Sequence, residues 1–254
     1  MAKNEIAVKP QTEITKMMFD DDTGPTGLEG VTSRDIAIPF VEIAQANSEA
    51  VTGSNPIPGI TVGDFYNSAT REVYGKEITV VPCRYKMVWN EWTPRTPKAR
   101  FVMQHLDDSI LSQTTRNEKN KDTLKNGNVI EPTATYFCVV VQPGGSFSRV
   151  VMGFSGTKVK KSKAWLSQIT SLRVADSNGV KKNPKMFTHM YTITTVPESN
   201  DKGRWFSPSI GAPRIITDAD LFAVAKQFNK EVMDGDVTAS QEADNVTLVD
   251  DTIL

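Results

Sequence analysis

The sequence predicts a mainly β α+β domain, with its strands curled into an OB-like, partly open antiparallel barrel. Three observations lead there. At least five runs are rich in β-branched and aromatic residues, which suit a pleated surface. One segment between them changes to helical spacing. A long polar stretch interrupts the strands, as an insertion in a small barrel would. A crossing helix, a C-terminal helix and flexible acidic termini complete the expectation. An antiparallel sheet packed on helices gives the same pattern, so the sequence leaves strand order open.

Residues 1–30 have no sustained period, hold Asp20, Asp21 and Asp22 ahead of Thr-Gly-Pro-Thr-Gly, and read as a flexible acidic arm. The binding domain is expected over residues 31–234. Residues 35–44 alternate as an opening strand, and Pro39 places it at an edge or bulge. Past the turn cluster Asn55-Pro-Ile-Pro-Gly come a short strand from Gly63 to Asn67, a turn at Glu72-Val-Tyr-Gly and a long strand from Glu77 to Trp92. Residues 105–131 are polar and predict a mobile loop or an insertion carrying a short helix. Runs at 134–142 and 147–155, joined by Pro143-Gly-Gly-Ser, predict a hairpin. Val159, Ser162, Leu166, Ile169 and Leu172 then mark an amphipathic helix. Met186 to Val196 alternates as a strand, which Asn200-Asp-Lys-Gly turns toward Arg204-Trp-Phe-Ser. Thr217 as N-cap, Asp218 and Asp220 in the first turn, apolar Leu221, Val224, Ala225 and Phe228, and Gly235 beyond the end bracket a last helix. Residues 235–254 read as a disordered acidic tail.

Composition limits the chemistry. The chain has 254 residues, 39% of them hydrophobic and 23% charged. Apolar runs such as Val139 to Val141 fall far short of the ~20 residues a membrane span needs, so no membrane partner is expected. The N-terminus lacks the pattern of a secretory signal. Cys83 and Cys138 lie in strand-like runs and predict buried thiols rather than a disulfide framework or zinc site. His105 and His189 belong to no metal-spaced cluster, and Pro143-Gly-Gly-Ser lacks the lysine of a phosphate loop. The expectation is a protein that is not an enzyme, with no cofactor and no metal.

A formal net charge of -1 conceals a partition. Residues 1–55 sum to -5, residues 56–214 to +11 and residues 215–254 to -7. Salt screens exposed charges beyond roughly 8 Å, so a partner at the middle segment meets a basic surface. That segment interleaves cations with aromatics, the combination that tracks phosphates and stacks unpaired bases. One cluster holds Arg84, Tyr85, Lys86, Trp89, Trp92 and Arg95; a second holds Lys158, Lys160, Lys161, Lys163 and Trp165; a third holds Lys202, Arg204 and Trp205. Strand alternation puts Arg84, Lys86 and Trp92 on one face and Tyr85, Met87 and Trp89 on the other. The lysines of the second cluster open a helix, where the macrodipole favours anions, and from Arg149 to Lys185 the only acid is Asp176. Half-buried strands with snorkelling cations and a solvated lysine face remain the alternatives. The tail has acidic Asp244, Asp250 and Asp251 and an apolar tip, Ile253 and Leu254, able to lie in a basic groove or to dock on a partner protein.

These features together resemble the single-stranded DNA-binding proteins of tailed-bacteriophage replication modules. The shared pattern runs from Asp35-Ile-Ala-Ile-Pro-Phe through Gly63-Asp-Phe-Tyr-Asn, Val73-Tyr-Gly, Glu91-Trp-Thr-Pro-Arg95, Phe154-Ser-Gly-Thr and Lys160-Lys-Ser-Lys-Ala-Trp165 to Val196-Pro-Glu-Ser-Asn-Asp-Lys-Gly203. The resemblance implies an OB-type core that binds single-stranded DNA without strong sequence preference, in the cytoplasm of an infected host. It also implies a tail that recruits replication or recombination proteins, although this tail ends Asp-Asp-Thr-Ile-Leu rather than Pro-Phe. Oligomers are compatible with it. The rival expectation is a phage virion or assembly protein with no preference for single strands.

Overall fold

The computed structural model describes residues 38–94, 99–142, 144–201 and 203–235, together with 27, 29, 30, 237 and 239. The expected acidic arm and tail fall almost wholly outside these residues, as do Pro143, Arg95 and Lys202. Residues 1–36 and 37–254 are two separate compact units. In the first, Gly27 donates its N–H to Glu29 Oε1 at 3.3 Å. The second holds the sheets and helices.

Three short strands come first: β1 (Val41–Ile43), β2 (Phe65–Asn67) and β3 (Val73–Gly75). They form an antiparallel meander with the single-turn helix α1 (Glu49–Thr52), closed over Ala44, Ala50, Ile57 and Tyr66. The turn expected at Glu72-Val-Tyr-Gly is therefore a strand. The long apolar run becomes one sixteen-residue strand, β4 (Glu77–Trp92), which organises a separate eight-stranded sheet. Along the C-terminal half of β4 runs β5 (Phe101–His105), and along nearly all of its other edge runs β8 (Val129–Val141). Two short strands, β6 (Thr115–Arg116) and β7 (Asp122–Thr123), make a hairpin on the start of β8; the rest of β8 pairs with β9 (Phe147–Ser155). The N-terminal end of β4 pairs with β12 (His189–Asn200), which pairs in turn with β13 (Gly203–Ile215). The sheet is antiparallel and curls as an open half-barrel, the mainly β α+β architecture expected. A small hairpin, β10 (Val174–Ala175) and β11 (Lys181–Lys182), turns at Asn178-Gly179.

The crossing helix α2 (Val159–Ser171) and the C-terminal helix α3 (Ala219–Asp234) cover opposite faces of the sheet. On one face Ile78, Val80, Tyr136 and Tyr191 pack with Trp165 and Ile169 of α2. On the other, Val81, Cys83, Phe137 and Val151 pack with Leu221, Phe228 and Val232 of α3, and Val237 and Ala239 join them. Both cysteines are free and buried, and burial raises both thiol pKa values.

Proline explains two places where the pattern is locally irregular. Pro82 lies inside the central strand, where a missing N–H is tolerated only at a bulge. Register there passes from Pro82↔Cys138 to Arg84↔Phe137, which leaves Cys83 as the extra residue. The last strand runs well past the expected Arg204-Trp-Phe-Ser, through Pro208, Gly211 and Pro213, residues that argue locally against a strand. It continues to Ile215 because, among the described residues, β13 pairs only with β12 and so forms an edge, where proline costs no ladder bond. Gly211 sits where register shifts; a Cβ there would come within 2.9 Å of Thr192 O.

Of the two expectations for residues 105–131, the insertion with a short helix holds: Asp107 caps a 3₁₀ turn over Asp108–Gln113, and the β6–β7 hairpin follows. Two boundaries differ from expectation. Met186–Thr188 is a 3₁₀ turn rather than strand. The cap of α3 is Asp218, not Thr217, with Oδ1 accepting from the N–H groups of Asp220 (2.8 Å) and Leu221 (3.0 Å).

Candidate nucleic-acid interface

The first cluster is divided by the sheet. After the bulge, Arg84 and Lys86 share the face of α3 while Tyr85 and Met87 pack on the face of α2. Lys86 Nζ donates to Val232 O (3.2 Å), one of the last carbonyls of α3, and sits 5.6 Å from the centre of the Phe137 ring. It caps the negative end of that helix; burial, and after it Arg84, lower its pKa. Arg149 is likewise engaged, bonding to Glu231 Oε2 at 2.7 Å and lying 5.4 Å from the Phe228 ring. Both belong to the cations expected to meet phosphates, and each ties the sheet to α3.

The aromatics separate in the same way. Trp165 is 1% exposed, stacked on Tyr136 at 4.4 Å and edge-on to Tyr191 at 5.5 Å. Its expected place beside nucleic acid is corrected: both ring faces are inside the core, because the helical period turns position 165 inward while Lys160 and Lys163 turn out. Tyr85 leans edge-on against Tyr136 (5.2 Å), and burial raises its pKa. Trp92 is half-buried against Phe101 (5.6 Å), and Trp89 is half-buried opposite His105.

The histidines support structure. His105 Nε2 lies 2.9 Å from Glu91 Oε2, whose other oxygen accepts from Asn128 Nδ2 at 2.6 Å. Burial works to raise the Glu91 carboxyl, but these hydrogen bonds outweigh it and hold it low. The group ties β5 to β4. His189 is buried with Nδ1 2.8 Å from Thr188 Oγ1, and burial lowers its pKa.

The second and third clusters, far apart in sequence, meet. Lys161 of α2 pairs with Glu198 of β12 at 2.7 Å, and the other Glu198 oxygen accepts from Trp205 Nε1 of β13 at 3.0 Å. Glu198 and Trp205 stand opposite each other in the β12–β13 ladder. The Lys161 hydrogen bond chiefly holds the Glu198 carboxyl below its ordinary range, with Trp205 adding to it. The indole therefore stays half-exposed in one orientation, beside exposed Arg204. Lys160 and Lys163 are exposed on α2; Lys158 is half-buried, and that burial lowers its pKa while Glu42 and Glu131 oppose the shift.

No local pattern in the chain announces what supports Trp205. The next residue, Phe206, is clamped by Gln45, whose Oε1 accepts from its N–H (2.8 Å) and whose Nε2 donates to its carbonyl (2.9 Å). A side-chain amide thus takes the place of a neighbouring strand. A cleft of about 510 Å³ results, lined by Gln45, Pro197, Glu198, Arg204, Trp205 and Phe206 among others. Gly63 (φ +96°) lies against the Phe206 ring, where an added Cβ would come within 2.8 Å of it. Gly63→Ala is expected to lower stability by about 2 kcal/mol, since positive φ alone costs a side chain roughly 1–2 kcal/mol; urea denaturation measures it.

Among the described residues no helix is long and apolar enough to cross a membrane, and no group of three His, Cys, Asp or Glu could hold a metal ion. A family model described as Pam3 phage gp34-like protein matches residues 8–238. No curated protein and no solved structure matches the chain.

Proposed function

We propose a function on this premise: the chain belongs to the Pam3 phage gp34-like family, and is a phage protein. It coats and protects single-stranded DNA during phage replication or recombination, without catalysis and without strong sequence preference, in the cytoplasm of the infected host. One observation carries this: the lysine-rich start of α2 and the β12–β13 hairpin meet at Glu198, which leaves Trp205 oriented beside Arg204, with Lys160 and Lys163 exposed on that same helix. Such a surface offers cations to a phosphate backbone and an aromatic ring to a base, about 1–3 kcal/mol per stacked base. The acidic tail recruits replication or recombination proteins and competes for the groove.

Titration with oligo-dT, followed by tryptophan fluorescence at several salt concentrations, tests the proposal. Quenching is expected, with log affinity falling by about 0.7 per neutralised phosphate for each unit of log salt. Absent quenching together with salt-independent affinity would overturn it. A second reading, a virion or assembly protein, is favoured by β5: it exposes Val102 and Met103, is followed by exposed Leu106, and among the described residues pairs only with β4. That reading requires the protein in purified particles.

A further inference from the structure

A second cleft, of about 810 Å³, opens on the face of the sheet covered by α3. Four cations line it from three elements: Arg84 from β4, Lys185 from the turn before β12, and Lys226 and Lys230 from α3. None of its lining residues is Asp or Glu. Lys185 and Lys226 are exposed, and among the described residues neither they nor Arg84 makes an ion pair; Lys230 bonds to Asp234. Phe187 and Met233 supply apolar wall. Lys230 lies just before the last turn of α3, which itself holds no cation, and the macrodipole gives no reason for Lys185 and Arg84 to reach the same space from other elements. Lys226 and Lys230 are also like charges one turn apart, an arrangement that works against the helix. Among the described residues only Lys230 has an acid, Asp234; Arg84, Lys185 and Lys226 converge on the same space without one.

This cleft is distinct from the Trp205 surface. Lys185 precedes β12 and lines a cleft on the α3 face, whereas Glu198 lies nine residues beyond His189, the first residue of that strand, and bonds to α2. At ~3.3 Å per residue the sites are roughly 30 Å apart along β12.

We infer that the α3 cleft is a second binding site for single-stranded phosphate backbone, so that one chain holds nucleic acid at two separate places. This rests on the proposed function and adds valency to it. The occupant of the second site is either a distant segment of the same strand or another strand, both with the same chemistry. A chain that holds two strands brings them together, as pairing of complementary strands requires; a chain that holds two segments of one strand bends it around the sheet.

Tetrathymidylate, too short to reach both sites, counts them in native mass spectra and calorimetry of the full chain at low salt. Two per chain are expected. The double variant Lys185→Glu/Lys226→Glu should bind one and keep fluorescence quenching. The triple variant Lys160→Glu/Lys163→Glu/Arg204→Glu should also bind one, without quenching. One per wild-type chain, or two still bound by the double variant, overturns the inference and leaves the proposed function standing; no binding at all overturns both. Longer strands distinguish the occupants. Energy transfer between donor- and acceptor-labelled oligonucleotides that is lost in the double variant indicates two strands. A footprint that shortens in that variant, without such transfer, indicates one.

Discussion

Trp165→Ala is expected to cost about 4 kcal/mol, within the ~3–5 kcal/mol typical of emptying a buried tryptophan site. Its ring is stacked on Tyr136, which also touches Tyr85 and Phe154, so one truncation unsettles three other aromatic side chains. The Tyr136 hydroxyl further bonds to Ser162 at both its carbonyl (3.0 Å) and its hydroxyl (2.9 Å), which sets the position of α2 on the sheet. Since folded domains are stable by only about 5–15 kcal/mol, the loss takes a large share. Urea denaturation should show a markedly lower midpoint with little change in slope. A cost under about 1 kcal/mol would mean that Trp165 is not held as described. Trp165→Phe, which keeps an aromatic ring in place, should retain quenching by oligo-dT, because the responding indole is that of Trp205.

The largest expected effect on binding is that of Lys160→Glu/Lys163→Glu/Arg204→Glu. Three phosphate attractions become three repulsions, so affinity for oligo-dT at low salt should fall more than about 100-fold. The log-log salt slope should shrink by about 2, at roughly 0.7 for each phosphate that is no longer neutralised. All three side chains are exposed, and exposed substitutions usually change stability by no more than about 0.5 kcal/mol each, so the urea midpoint should barely move. Unchanged affinity with an unchanged slope would remove this surface from the interface.

Regular elements are legible wherever local pattern and global packing agree. The strand from Glu77 to Trp92 and the hairpin partner from Phe147 to Ser155 fall where alternation puts them. The full length of the last strand is not legible, because its prolines are acceptable only at an edge, and edge position is a property of the assembled sheet. The cations show the same division. Segment charge locates a basic body, yet Lys86, Arg149 and Lys161 within it are tied to α3 or to Glu198. Conversely, Lys226 and Lys230 belong to the stretch that sums to -7, so the sum conceals them. Trp165 and Trp205 both follow lysines or arginines closely; only their facing, inward from a helix and outward from a hairpin, tells them apart.

The single extra residue at Cys83 gives β4 a parity. Before it, even-numbered side chains, Ile78 and Val80, face α2; after it, odd-numbered ones do, Tyr85 and Met87. Deleting that one residue would restore plain alternation and leave Arg84 opposite Phe137 and Tyr85 opposite Tyr136, so neither side of the strand would change occupants. Inserting or deleting a residue in the regular stretch that follows would instead exchange the two sides beyond that point. Which side of the sheet is cationic is thus decided by a count of residues rather than by their kind, and Cys83 is the position at which that count can change without inverting the rest.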